Sequence, residues 1–127
     1  MSLENRALLS IAALSLLIAT IAGALASHVL TALPPGKLHS FEIAVQFQFF
    51  HGLGLLALTG LRARHGGLAL RLAAWLLVAG TVLFCGTIYA TTLGAPTALG
   101  SAAPIGGIAF MIAWLCIAWG AWGIKAT

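Results

Sequence analysis

Six side chains able to do chemistry interrupt otherwise apolar stretches: His28, Glu42, Gln46, Gln48, His51 and Tyr89. Thr87, Thr91 and Thr92 flank the tyrosine. An imidazole can move protons, bind a metal or hold a ligand. Carboxamides and phenols supply hydrogen bonds that orient a bound molecule. Spacing sorts the second cluster into two sets. Glu42 and Gln46 stand four apart and share one helical face, whereas Gln48 and His51 stand three apart on another. His51 lies nine residues beyond Glu42, which along a helix is about 14 Å. If the helix crosses a bilayer, that depth is close to the middle, where ionisable groups are costly and often functional.

Each of these residues also has a plainer explanation. Glu42 fits a first helical turn behind an N-cap at Ser40, where an anion suits the helix dipole. His28 and His39 fit a wet interface. Gln46 and Gln48 fit interhelical hydrogen bonding. His51 is either a satisfied structural histidine or a proton, metal or ligand group. Either way both its ring nitrogens need partners, and Gln48, Tyr89 or a threonine are the candidates. The pattern for a metal or haem is weak, because His28 and His51 stand at different depths and no His-x-x-His or Glu-x-x-His occurs. Nucleophilic catalysis has no GxSxG motif and no aspartate to work with. The Gly-Gly pairs at 66–67 and 106–107 lack the lysine and hydroxyl of a phosphate loop. Cys85 and Cys116 make no CxxC and read as small buried hydrophobes. No enzymatic activity and no cofactor is therefore expected.

The elements that must position these groups follow from composition. The 127 residues are 61% hydrophobic and only 6% charged, with mean hydropathy +1.10. A soluble domain needs about a quarter of its residues charged, and disorder needs low hydrophobicity with high charge. A nucleic-acid binder needs a basic face rather than scattered cations. All three are excluded, and the lipid bilayer is the expected partner. A spanning helix needs about 20 apolar residues, and four stretches supply them: 7–30, 41–61, 72–93 and 104–124. Pro34 and Pro35, the Arg62–Gly67 connection and the Gly94–Pro96 turn separate them. The runs are too long, and lack the alternation, for a β-barrel. The expected fold is all-α, a polytopic membrane protein with four transmembrane helices in an up-down-up-down bundle, forming one domain over 1–127.

Charge orients the bundle. Arg6, Arg62, Arg64, Arg71 and Lys125 fall on one side and Lys37 on the other, so both termini are expected in the cytoplasm. Trp75, Trp119 and Trp122 fall near that same face, at aromatic-belt depth, with Trp114 deeper. The AGALAS string at 22–27 imitates a leader-peptide cleavage site, but its apolar run is too long and continues to Leu30. Small residues line helix one at Ser15, Ala19, Gly23 and Ser27, and helix three at Gly86, Ala90 and Gly94. They allow close helix approach, either within the bundle, the preferred reading, or in a homo-oligomer.

The segments GALASHVL (23–30), FEIAVQFQFFHGLGLLAL (41–58), FCGTIYATTLG (84–94) and PIGGIAFMIAWL (104–115) resemble an uncharacterised family of small bacterial inner-membrane proteins. That family is typified by the YgdD and YwdK proteins and has animal relatives in mitochondria. The likeness covers almost the whole chain and is most specific at AVQFQFFH and PIGG. It implies a four-helix integral membrane protein of the bacterial inner membrane, without an established activity. It carries over to His28, Gln46, Gln48, His51, Tyr89, Pro104, Gly106 and Gly107. Ala26, Ser27 and Val29 depart from the Gly-Ala-x-Gly-Ala-His-Gly run usual at the end of helix one. Three functions are weighed. The leading one is a structural or accessory subunit of a larger membrane complex. The others are a small transport protein and a binding site for a quinone, haem or metal built on Gln48, His51 and Tyr89. Convergence of His28, Glu42, Gln48, His51 and Tyr89 on one cavity would favour the last two; separate contacts to lipid headgroups and backbone carbonyls would favour the first.

Overall fold

The protein is described by a computed structural model covering residues 1–126; the final position of the expected 1–127 domain lies outside the described residues. Local chemistry sets where each helix begins. Ser2 caps α1 (Leu3–His28) by accepting the Asn5 backbone N–H at 3.1 Å. Pro35 opens α2 (Pro35–Arg64) at its first position, where a missing N–H costs nothing. The expected start near Phe41 is thus too late, and Ser40 is not the cap. Its hydroxyl instead donates back to the Gly36 carbonyl at 3.0 Å inside the helix. Glu42 therefore lies beyond the first turn. Arg62 and Arg64 end α2 where cations suit the dipole.

Gly67, at φ +136°, makes the turn into α3 (Leu68–Gly80). This helix runs without a break through a π-helical segment, Thr81–Gly86, into α4 (Thr87–Thr92). A 3-10 turn at Thr97–Ser101 leads to α5 (Ala102–Ala121), so Pro104 falls in its first turn. Helix five stops short of the expected Ile124, because tight turn bonds such as Trp122 N–H to the Trp119 carbonyl take over. Four helical stretches are long and apolar enough to cross a membrane: Leu3–His28, Pro35–Arg64, Leu68–Thr92 and Thr97–Ala121. Large apolar side chains such as Phe50, Met111 and Leu115 face outward, 61–69% exposed, as a lipid-facing surface requires.

α1 lies along α2 and α3 lies along α5, with α2 also touching the third span along its length. The main core joins Leu8 and Ala12 of α1, Leu55 and Leu58 of α2, Leu70, Ala74 and Leu77 of α3, and Phe110 of α5. The small-residue stripe of α1 is used inside the bundle. Ala19 is fully buried, and a methyl on Gly23 would touch Val45 at 3.6 Å. The stripe expected on helix three is not a packing face, since nothing lies within 4 Å of a methyl built on Gly86 or Gly94. The third span instead meets α5 at Gly80 and Gly106. A methyl on Gly80 would sit 2.5 Å from the Phe110 ring, and one on Gly106 would collide with the Phe84 backbone nitrogen. Phe84 belongs to the π-helical segment, whose wide turn brings its backbone against α5.

At one end of the bundle Glu4 gathers three donors. Arg71 Nε lies at 2.9 Å, Trp75 Nε1 at 2.7 Å and Arg62 Nη2 at 3.5 Å. These contacts tie the first turn of α1 to α2 and α3.

Candidate functional site

α2 carries the polar groups that matter most, because it is the helix touched by both neighbours. Gln48 is 4% exposed and bridges three spans. Its Nε2 donates to the Ser15 carbonyl at 3.1 Å and to Ser15 Oγ at 3.2 Å, and its Oε1 accepts the Tyr89 hydroxyl at 2.6 Å. Interhelical bonds of this kind contribute about 0.6–2 kcal/mol each in a membrane. Phe41 packs on the Tyr89 ring at 4.9 Å between centroids and holds the phenol in place.

His51 lies one turn further along α2, buried. Its ring stacks on Phe110 of α5, with centroids 3.5 Å apart and planes 12° apart, and Trp114 closes in at 5.9 Å. Nδ1 lies 2.6 Å from the Phe47 carbonyl. A carbonyl only accepts, so Nδ1 carries the hydrogen, and in the neutral ring Nε2 is left as an acceptor. Neither Gln48 nor Tyr89 is its partner, contrary to the expectation from spacing; those two side chains bond to each other. Among the described residues Nε2 has no hydrogen bond. It is also not one of the occluded unpaired atoms, which are Asn5 Oδ1 and Arg62 Nη1.

Gln48, His51 and Tyr89 all line one cavity of about 380 Å³ between α1 and the third span, with α2 as its floor. The rim is Leu14 and Ile18 on α1 and Val82 on the π-helical segment, each more than half exposed on the outside of the bundle. The floor is Gln48, His51, Gly52 and Leu55, all buried. The cavity is thus a lateral groove that opens toward lipid rather than toward either end. Thr81, Val82, Cys85 and Gly86 put most of the π-helical segment into its wall. Such segments are rare and frequent at functional sites. Cys85 is spent locally, its thiol donating to the Ala44 carbonyl at 3.3 Å.

The other expected residues are elsewhere. His28 is exposed at the end of α1, and Glu42 and Gln46 are exposed on α2, away from the groove. Ser15, Gly52 and the π-helical segment belong to the site and were not singled out for it by sequence. Ser15 is visible there only as a member of a small-residue stripe. Among the described residues no three His, Cys, Asp or Glu side chains come together as a metal site would require.

Fold and composition together define a small polytopic membrane protein, with an apolar groove on whose wall Gln48, His51 and Tyr89 lie. The chain belongs to the family described as protein of unknown function DUF423, whose model matches residues 22–107. That match includes Gln48, His51, Tyr89 and Gly106. The chain is 36% identical over 107 residues to the UPF0382 membrane protein YwdK of Bacillus subtilis, covering 83% of this chain and 87% of YwdK. It is 32% identical over 120 residues to a UPF0382 membrane protein of Haemophilus influenzae, covering 93% and 95% of the two chains. It is 28% identical over 124 residues to the UPF0382 inner membrane protein YgdD of Escherichia coli, covering 97% and 95%. No solved structure matches the chain. The protein is an integral membrane protein of a family whose activity is undetermined.

Proposed function

We propose that this protein binds a small molecule dissolved in the bilayer, held in the groove between α1 and the third span. The observation that carries the reading is partial convergence: of the five polar residues expected together, Gln48, His51 and Tyr89, from two helices, line one cavity of about 380 Å³, while His28 and Glu42 lie elsewhere. That size falls within the range of about 300–1,000 Å³ for ligand sites, which are mostly apolar with a few placed polar groups. A sideways opening suits capture from lipid better than passage across it. The role is one of binding rather than catalysis. The accessory-subunit reading rests on the short chain, the short loops, the lack of a catalytic constellation and the small-residue faces; of these faces the α1 stripe is used inside the bundle, at Ala19 and Gly23, while Gly86 and Gly94 are left open.

In this reading the protein resides in the bacterial inner membrane with both termini in the cytoplasm. The support is the charge asymmetry, Arg6, Arg62, Arg64, Arg71 and Lys125 against Lys37. The test of binding is purification in mild detergent followed by mass spectrometry of extracted small molecules. Wild-type protein yields a bound species above the detergent background, and Val82→Trp, which blocks the rim, loses it. Equal occupancy in the two proteins would contradict the proposal.

A further inference from the structure

The chemistry of the groove floor narrows the class of occupant. Every polar group there is partly engaged, and what remains unspent is informative. Gln48 uses both ends of its amide, on Ser15 and on Tyr89. Tyr89 has given its hydroxyl hydrogen to Gln48. Cys85 has given its thiol hydrogen to Ala44. The oxygens of Tyr89, Thr81 and Gln48 can still accept, but each of these groups already has a partner; two further capacities remain. Ser15 Oγ accepts from Gln48 and keeps its own hydrogen. His51 Nε2 is a bare acceptor, because Nδ1 holds the ring hydrogen against the Phe47 carbonyl. Ser15 stands beside this part of the floor: a methyl built on Gly52, next to His51 in the chain, would lie 3.8 Å from its Oγ.

An acceptor without a donor is the poorest arrangement for an apolar pocket, since an unmatched polar group costs more than a made bond returns. A hydroxyl meets both needs, donating to Nε2 while able to accept from Ser15. A ketone, ether or oxidised quinone only accepts, and leaves Nε2 bare. A charged head is opposed by walls made of Ile11, Leu14, Ile18, Val78 and Val82. Resting on the binding role proposed above, we infer that the groove selects an uncharged, membrane-dissolved apolar molecule carrying a hydroxyl, with His51 Nε2 accepting its hydrogen. His51 is thereby the residue that determines specificity.

The test uses full-length protein in phosphatidylcholine nanodiscs and two matched probes, 1-dodecanol and dodecyl methyl ether, with concentrations counted per lipid. Binding is read by intrinsic tryptophan fluorescence, to which Trp114, 5.9 Å from His51, contributes, and by the ¹⁵N resonance of His51 Nε2 in the wild-type protein. The alcohol is expected to bind about three- to tenfold more tightly than the ether, as one net hydrogen bond implies. Only the alcohol shifts the Nε2 resonance. In His51→Phe, which keeps a ring against Phe110, the preference falls to about one. If both probes bind equally and Nε2 does not move, the hydroxyl assignment is wrong while the groove still binds apolar molecules. If neither probe binds, the binding role itself falls. If the preference survives in His51→Phe, another group reads the hydroxyl and the role given to His51 is overturned. Because the resonance is measured on unaltered protein, a folding defect in the variant leaves the test intact.

Discussion

The third span has two faces that solve opposite problems. Toward α5 it closes completely, glycine against backbone and ring at Gly80 and Gly106. Toward α1 it is tied at one end by Glu4, Arg71 and Trp75 and then leaves a groove of about 380 Å³. The same π-helical segment serves both, pressing Phe84 on Gly106 and presenting Val82 and Cys85 to the groove. In lipid there is no hydrophobic drive to close a gap between helices, so contact is decided by shape and polar groups. Where small residues permit backbone approach the helices meet. Where a polar bridge spans the space instead, as through Gln48, a gap persists.

Perturbing the closed face should have the largest effect. Gly106→Val places a branched side chain against the Phe84 backbone, which cannot move aside as a flexible side chain would. A loss of about 3 kcal/mol is expected, read as a lower unfolding temperature in detergent and reduced recovery of monodisperse protein. Gln48→Leu comes next. It strands the Tyr89 hydroxyl and unties α1 from the third span, for a loss of about 1–2 kcal/mol. Its unfolding temperature should fall less than that of Gly106→Val. Glu4→Gln removes the ion pairs at the tied end. Its effect is smaller still and should shrink as salt is raised, because exposed pairs are screened. Val82→Trp alters only the groove rim. Stability should stay within about 0.5 kcal/mol of wild type, while the bound molecule is lost.

These contrasts also mark how far the sequence could be read. Four spans, their order and the cationic end are legible because hydropathy and length act on each stretch separately, without reference to neighbours. That Gln48 and His51 share a face of α2 is legible from their spacing; that Tyr89 bonds Gln48 and not His51 is not. Four other features are not. Pro35 reads as a break when seen as a missing N–H, yet that same lack suits a first helical position. Gly86 and Gly94 read as a packing stripe, whereas the crossing uses Gly80 and Gly106, a choice made by the partner helix and the π-helical turn. His28 and Glu42 read with His51 as one polar cluster, because sequence supplies depth but not which way a helix is rotated. The Gly52 and Ser15 contribution to the groove depends on that same rotation.

Photo-crosslinking in proteoliposomes shows whether the groove takes molecules from the surrounding lipid. A long-chain alcohol bearing a diazirine is equilibrated with the membranes and activated, and labelled peptides are mapped by mass spectrometry. Label is expected to concentrate on Ile11–Ile18 and Val78–Tyr89, to be competed away by unlabelled alcohol and to be absent from those positions in Val82→Trp. Label spread evenly over lipid-facing residues such as Phe50, Met111 and Leu115, with no competition, would contradict uptake by the groove.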